Sequence, residues 1–407
     1  MYKAYWAAGA ASLAVLAGAA YAAAPAKAPA PIANYWMDVA TTSGFGAGMG
    51  GGGRPSMGAI MGMMRGGSSV MHSLELRLAS KQKAAGTPDA QHFVPPSLQM
   101  GPTLPLVTPV IERTAGTPHT ETPGTYEKPK GRMLIYWGCG EHVSAGQPTV
   151  IDFAKLASGQ IPKEYQSLAR MGAMMGRSAT PPQVGQSAGY GEWPNKRDSR
   201  PVPAAGSLLG AHRIEGNYSP PISFTVGAGQ DFMPALGLRE AGALPSGAQT
   251  LSWQAAPQAT GYALSMFGSG QNGDVIIWTS AKGAAMSPNF DYLSPAEVKR
   301  QVTAGAVLAP SVTQCVLPAE VATASPTGMV MGIGYGPEVF FAEAPKAPKW
   351  STRLRYKSTA TLMRGMGAMM GGDEGGNPRG QAPGQPAKKK RRGLGGLGGV
   401  LGNLPIP

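Results

Sequence analysis

The mainly β character of this chain is decided between residues 250 and 278. A turn-forming segment, Gly-Ser-Gly-Gln-Asn-Gly at 268–273, separates two apolar runs, Tyr262-Ala263-Leu264-Ser265-Met266-Phe267 and Asp274-Val275-Ile276-Ile277-Trp278. Short apolar runs that are rich in β-branched and aromatic residues and bounded by glycine are typical of buried strands. We therefore predict two strands here, preceded by another at 250–253.

The same patterns predict strands along most of the chain. Leu74-Glu75-Leu76-Arg77-Leu78 alternates apolar and charged residues, which is typical of a half-buried strand. Further strands are predicted at 34–39, 133–137, 150–153, 222–226, 314–317, 328–333 and 339–342. A helix is predicted to begin at Pro295, because Ser294 can cap it and Glu297 can complete a capping box. A second helix is predicted at 164–175.

A family resemblance adds to this pattern at 240–345. The segment reads Leu251-Ser252-Trp253, then Ala259-Thr260-Gly261-Tyr262-Ala263-Leu264. It resembles two successive strands of a fibronectin type III-like (immunoglobulin-like) β-sandwich, in which a Trp packs beneath a Tyr of the next strand. The resemblance implies this architecture, and it implies no activity because such sandwiches carry many functions.

Composition indicates how the modules are connected. The chain contains 59 Gly and 38 Pro among 407 residues, and only 14% of its residues are charged. Such a chain fits compact β modules joined by Gly, Pro and Met-rich connectors. We predict a β-rich N-terminal region at 33–230 with long loops, a β-sandwich module at 240–345, and a disordered basic and Gly/Leu-rich tail at 346–407.

The N-terminus has the features of a secretory signal. Lys3 precedes the apolar stretch at 4–20, and Ala20-Tyr21-Ala22 has the small-x-small pattern of a cleavage site. We predict a signal peptide at 1–22 and a mature chain that begins at Ala23 in the periplasm or outside the cell. No later apolar run approaches the ~20 residues that a spanning helix needs, so we predict no transmembrane span.

Charge suggests the kind of partner. The formal net charge is +13, and five positive charges lie together at 388–392. After export, nucleic acid is not the expected polyanion. The predicted partners are a cell-envelope protein or an anionic surface polymer or lipid.

A methionine-rich repeat offers a candidate metal site. Met-Gly segments begin at Met57, Met171 and Met366. Thioether sulfur suits Cu(I), so a flexible loop could hold a copper ion. The candidate ligands are Met171, Met174, Met175, Met366, Met369 and Met370. The alternative is that these repeats are apolar connectors, and no other cofactor is predicted.

Cys139 and Cys315 are the two cysteines of the chain. In an oxidising compartment they are candidates for one disulfide, and two separate buried thiols are the alternative. Cys139-Gly140-Glu141-His142 also raises the hypotheses of a thiolate–imidazole nucleophile or a zinc site. The histidines, at 72, 92, 119, 142 and 212, lack the spacing of metal ligands.

One further motif concerns hydrolysis. Gly185-Gln186-Ser187-Ala188-Gly189 matches the nucleophile-elbow pattern, but that motif requires a preceding strand and a following helix, and Pro and Gly flank it here.

Taken together, these features predict a secreted or periplasmic, non-catalytic structural or interaction protein of the cell envelope. The alternative is a periplasmic Met-rich Cu(I)-binding protein, and a third interpretation is a secreted hydrolase.

Overall fold

The computed structural model of the chain describes residues 30–48, 70–110, 131–158, 179–283, 291–343 and 348–365. This part of the chain is mainly β, as predicted. The predicted signal peptide, the predicted helix at 164–175 and the Met-Gly repeats lie outside the described residues, as does the chain beyond residue 365.

The described strands run through the whole of this part. They are β1 Ala33–Gly44, β2 Val70–Ser80, β3 Ala90–Phe93, β4 Thr103–Pro105, β5 Arg132–Trp137, β6 Thr149–Asp152, β7 Gly189–Trp193, β8 Gly210–Gly216, β9 Ser219–Val226, β10 Arg239–Ala243, β11 Gln249–Ser252, β12 Gly261–Ser269, β13 Val275–Thr279, β14 Gln314–Leu317, β15 Gly328–Ala342 and β16 Trp350–Arg364. The α-helices are α1 Phe153–Ala157, α2 Pro295–Thr303 and α3 Ala319–Ala324. Single 3₁₀ turns lie at Phe45–Gly48, Pro96–Leu98 and Gln271–Gly273.

The described strands form one large sheet and two small ones. The large sheet has nine strands in the order β6-β5-β13-β12-β15-β16-β1-β2-β7, and the small sheets are β10-β11-β14 and β4-β3-β8-β9. Neighbouring strands are antiparallel except for β1 with β16 and β5 with β13, which are parallel. Because β5 pairs with β13, the predicted regions at 33–230 and 240–345 contribute strands to one sheet.

Each small sheet covers one half of the large sheet. The four-stranded sheet packs on β1, β2 and β16. Its core includes Tyr35, Met37, Leu76, Leu78, Leu104, Ile214, Ile222, Phe224 and Leu354. The three-stranded sheet packs on β12, β13 and β15. Its core includes Leu251, Trp253, Tyr262, Leu264, Met266, Ile276, Trp278, Leu317 and Val330. The described part therefore contains two β-sandwiches that share a sheet.

Trp253 and Tyr262 lie together in the second core, a contact that the family resemblance implied. Their ring centroids are 5.6 Å apart and both side chains are buried. The Tyr262 hydroxyl accepts the Ala256 N–H at 2.8 Å, so the polar end of this ring has a partner inside the core. This contact joins strand β12 to the turn that precedes it.

The structure corrects two predicted boundaries. The predicted strands at 328–333 and 339–342 are one strand, β15, whose pairing with β16 has an irregularity between Tyr335 and Glu338. The predicted tail at 346–407 is wrong at its start, because Trp350–Arg364 forms β16. Several polar residues of β16 are compatible with burial because they have partners; the Ser358 hydroxyl, for example, donates to the Pro234 carbonyl at 2.8 Å. The Thr352 hydroxyl is an exception, since it is buried without a hydrogen-bond partner among the described residues.

Helix α2 begins at Pro295 as predicted. The Ser294 hydroxyl accepts the Glu297 N–H at 3.3 Å. The Glu297 carboxylate, which was expected to complete a capping box, instead accepts from Gln301 at 2.8 Å. Val298 packs with Ile333 on the outer face of the large sheet, and this docking holds Tyr292 and Leu293 against the same face.

Candidate functional site

A row of alternating cations and aromatic rings lies on the outer face of the large sheet. We call it the stacked row; its members, in order, are Phe340, Arg353, Trp36, Arg355, Tyr292 and Lys357. The successive distances from cation to ring centroid are 4.7, 4.4, 4.8, 4.6 and 4.2 Å. A cation over an aromatic ring at such distances gains about 0.5–2 kcal/mol, depending on how fully it is desolvated. The row therefore joins residues from separate parts of the chain through successive cation–ring contacts.

Strand geometry explains why these residues meet. Side chains two apart on a strand share a face, so Arg353, Arg355 and Lys357 of β16 point away from the core that holds Leu354 and Tyr356. The registers place Trp36 of β1 and Phe340 of β15 directly opposite Arg353, one on each side. Three adjacent strands thus present Phe340, Arg353 and Trp36 side by side.

The inner part of the row is neutralised by a buried carboxylate. Asp38 is only 2% exposed, and its two oxygens accept from Arg355 Nε and an Arg355 terminal nitrogen, both at 2.6 Å. Arg77 of β2 donates to the same carboxylate at 2.8 Å. The remaining Arg355 nitrogen donates to the Ala179 carbonyl at 3.0 Å. Such a bidentate charged pair is strong and geometrically specific.

The outer part of the row is arranged differently. Arg353 lies between two rings like Arg355, but it has no hydrogen bond or ion pair among the described residues. Burial against the rings lowers the pKa of Arg353 from its ordinary value, and the neighbouring Glu338 opposes this shift. Phe340, at the end of the row, is 59% exposed. The row therefore ends at the surface in a half-buried, unpaired guanidinium beside an accessible ring.

A second polar arrangement lies inside the first core. Tyr35 Oη is 2.8 Å from His92 Nδ1, His92 Nε2 is 2.9 Å from His212 Nδ1, and His212 Nε2 is 2.7 Å from the Leu208 carbonyl. Burial lowers the pKa of both histidines, for His92 well below its ordinary value. Both rings are buried, so this chain of hydrogen bonds has the environment of a core element.

A shallow surface depression lies outside the two cores. A groove of about 400 Å³ lies on the outer face of the four-stranded sheet, and its lining includes Phe93, Arg213, Ser223 and Thr225. Arg213 stacks over Phe93 at 4.2 Å, as Arg353 does over Phe340. Unlike Arg353, it has an acidic partner, Glu215, at 2.8 Å. This groove therefore provides a matched comparison for the stacked row.

The structure places the two cysteines in a disulfide. Cys139, just after β5, is bonded to Cys315 in β14, with Cα atoms 5.2 Å apart. The bond links the large sheet to the three-stranded sheet. It also corrects the nucleophile hypothesis at 139–142, because a disulfide sulfur is not a thiolate. His142 instead lies 3.0 Å from Glu320 at the surface.

The remaining predicted candidates gain no chemistry from the described structure. Residues 185–188 form turns that lead into β7 at Gly189, so the elbow motif lacks the following helix that it requires. Among the described residues, no group of three His, Cys, Asp or Glu side chains could hold a metal ion. The copper candidates Met171, Met174, Met175, Met366, Met369 and Met370 lie outside the described residues.

The comparisons with known proteins return nothing: no family model, no curated protein and no solved structure matches this chain. Within the part that the structure describes, no helix has both the length and the apolar character to cross a bilayer.

Sequence analysis missed the stacked row. Its signal was the alternation Arg353-Leu354-Arg355-Tyr356-Lys357, which has the period of a strand. That alternation lies inside the segment predicted as tail, whose composition is dominated by the basic run at 388–392 and the glycine-rich sequence after it. Asp38, in a strand that was predicted, gave no local sign that it would bind Arg355.

Proposed function

We propose that this protein is a non-catalytic interaction protein of the cell envelope, secreted or periplasmic, that binds its partner at the exposed end of the stacked row. The observation that carries this proposal is the juxtaposition of Phe340, Arg353 and Trp36 on three adjacent strands. Aromatic residues and arginine dominate the binding energy of interfaces, and they do so best when they are held rigidly.

Rigidity is the property that supports recognition here. Arg353 has one ring on each side, so its guanidinium is oriented before any partner arrives. Beneath it, Trp36 also contacts Arg355, whose position Asp38 determines. A partner would pay little ordering entropy at this surface, and the exposed Phe340 ring would supply apolar area.

The strand arrangement supports a binding module in another way. Strands β10-β11-β14 face β13-β12-β15-β16, three strands against four, with Trp253 and Tyr262 between them. We infer that this module is fibronectin type III-like, and such sandwiches commonly serve as extracellular binding modules. This inference concerns architecture, and the binding site itself is argued from the stacked row.

Two features support export. Disulfides persist in oxidising compartments, and this chain has one between Cys139 and Cys315. The sequence before Ala23 has the pattern of a signal peptide. Mass spectrometry of the protein from a cell-envelope fraction should find an N-terminus at Ala23. Intact residues 1–22 in a cytosolic protein would contradict the proposed compartment.

Site-specific photo-crosslinking tests the interaction. Benzoylphenylalanine at position 340 replaces one exposed aromatic ring with a larger one, and the exported full chain is then irradiated in intact cells. We expect cross-links to one envelope component from position 340. The matched control carries the same group at position 223, on the outer face of the four-stranded sheet. Equal labelling from both positions, or none from position 340, would refute this binding surface.

A further inference from the structure

We propose that Arg353 is an open carboxylate-binding fork, and that its ligand is an acidic polysaccharide bearing uronate groups. This inference rests on the proposed function and names the chemistry of the partner. It follows from comparing Arg353 with Arg355, two residues further along the same strand and on the same face.

Arg355 shows what a guanidinium in this row binds. Its Cζ lies 4.8 Å from the Trp36 ring centroid and 4.6 Å from the Tyr292 ring centroid. A carboxylate, Asp38, accepts two of those donors at 2.6 Å. A guanidinium that contacts two rings of the stacked row can thus hold a planar, bidentate oxyanion at its edge, as Arg355 does.

Arg353 has the same environment without the carboxylate. Its faces contact Trp36 and Phe340. The residue opposite it on β1 is Trp36, whereas the residue opposite Arg355 is Asp38. Glu338 of β15 is in register with Arg355; its charge acts on Arg353, but no hydrogen bond or ion pair joins the two side chains. Within the described residues, Arg353 therefore provides a preformed fork to which no acceptor is hydrogen-bonded.

The neighbouring ring indicates the kind of carboxylate. Phe340 contacts Arg353 and is 59% exposed, so an apolar, flat surface lies next to the fork. A uronate combines a carboxylate with the C–H face of a sugar ring, which matches a cation beside an aromatic surface. The formal net charge of +13 favours approach of a polyanion.

Titration with an oligogalacturonate tests this site in the full mature chain. We expect binding to the free acid and at least roughly tenfold weaker binding to its methyl ester, because the ester cannot accept as a charged bidentate group. Arg353→Met, which retains an unbranched apolar stem, should lose affinity to a similar extent. Arg353→Lys should fall between the two, because lysine keeps the charge but lacks the fork.

The matched control is Arg213→Met. Arg213 also stacks on a phenylalanine but is already paired with Glu215, so its loss should leave the affinity unchanged. Measurements at about 0.15 M salt limit non-specific attraction to the basic run at 388–392. Unchanged melting temperatures of the variants will exclude unfolding as the cause of a lost affinity. If Arg353→Met does not fold, Arg353→Gln is titrated in its place.

The outcomes separate this inference from the proposed function. If cross-linking at position 340 identifies an envelope component while the Arg353 variants bind oligogalacturonate like the wild type, the carboxylate fork is refuted and the interaction surface stands. If oligogalacturonate binding depends on Arg353 but position 340 yields no envelope cross-link, the fork stands and the proposed function fails. Tighter binding of polyglutamate than of oligogalacturonate would overturn the polysaccharide assignment.

Discussion

His92 Nε2 lies 2.9 Å from His212 Nδ1 in the first core, and the two rings form one directed chain of hydrogen bonds. The Leu208 carbonyl can only accept, so His212 Nε2 carries a proton. His212 Nδ1 then accepts from His92 Nε2–H, and His92 Nδ1 accepts from the Tyr35 hydroxyl. Both histidines are thus satisfied in their neutral forms.

We predict that the protein loses stability in mild acid. Burial lowers the pKa of His92 and His212, so the unfolded chain binds protons that the folded chain does not. The contribution of the two neutral histidines to the free energy of unfolding is present above about pH 6.5, the pKa of free histidine. It declines as the pH falls below that value. The slope is at most about 1.4 kcal/mol per pH unit for each histidine. Urea unfolding at several pH values measures it.

A variant at the centre of this chain tests the assignment. His92→Gln should flatten the pH dependence, because it removes one titrating group from the core. Burial also lowers the pKa of His72, so part of the pH dependence of stability should remain in the His92→Gln variant. An unaltered slope in His92→Gln would argue against the lowered pKa.

Asp38→Asn should destabilise the protein severely. The substitution leaves Arg355, whose side chain is 4% exposed, without its anion in a desolvated site. Breaking a buried pair in this way costs about 3–5 kcal/mol. The free energy of unfolding from urea titration provides the measurement. The double variant Asp38→Leu with Arg355→Met should recover most of the loss, because it leaves no buried charge unpaired and Arg77 keeps its second partner, Glu75.

The exposed pair between Arg213 and Glu215 is the control for that experiment. Glu215→Gln should change the free energy of unfolding by about 1 kcal/mol or less, since solvent screens an exposed ion pair. Equal losses in Asp38→Asn and Glu215→Gln would mean that Asp38 is not in a buried pair.

Trp253→Ala should cost about 3–5 kcal/mol, because it empties a large aromatic site between two sheets. Trp253 is 5% exposed and packs on Tyr262. Val110→Ala, at a side chain that is 82% exposed, is the control and should lower stability only slightly. Thermal melting of the two variants provides the measurement. Coincident melting curves would show that Trp253 is not part of the core.

Removing the disulfide should also weaken the second sandwich. Cys139 and Cys315 are separated by 176 residues, and closing so long a loop stabilises by up to about 5 kcal/mol in the entropic account. We expect the double variant Cys139→Ser, Cys315→Ser to unfold at lower urea concentration. Thiol titration of the unfolded, unreduced wild type should find no free thiol, and two reactive thiols there would contradict the bond.

The sequence by itself determined the position of a strand wherever neighbouring side chains form an apolar run or alternate between apolar and charged. The apolar run at 262–267 and the alternation at 74–78 each predict a strand from side-chain period alone, and β12 and β2 contain them. Ser294 and Pro295 likewise placed the start of α2, because capping depends on neighbouring backbone groups. These are short-range effects that a single segment encodes.

Only the tertiary structure decided how the segments pair. Arg355 has the appearance of a surface charge in a polar segment, and its burial depends on Asp38, 317 residues away. The period of a strand tells which side chains share a face, but not which strand lies beside it. The parallel pairing of β1 with β16 therefore created both the buried ion pair and the open Arg353 fork, through contacts that no local pattern encodes.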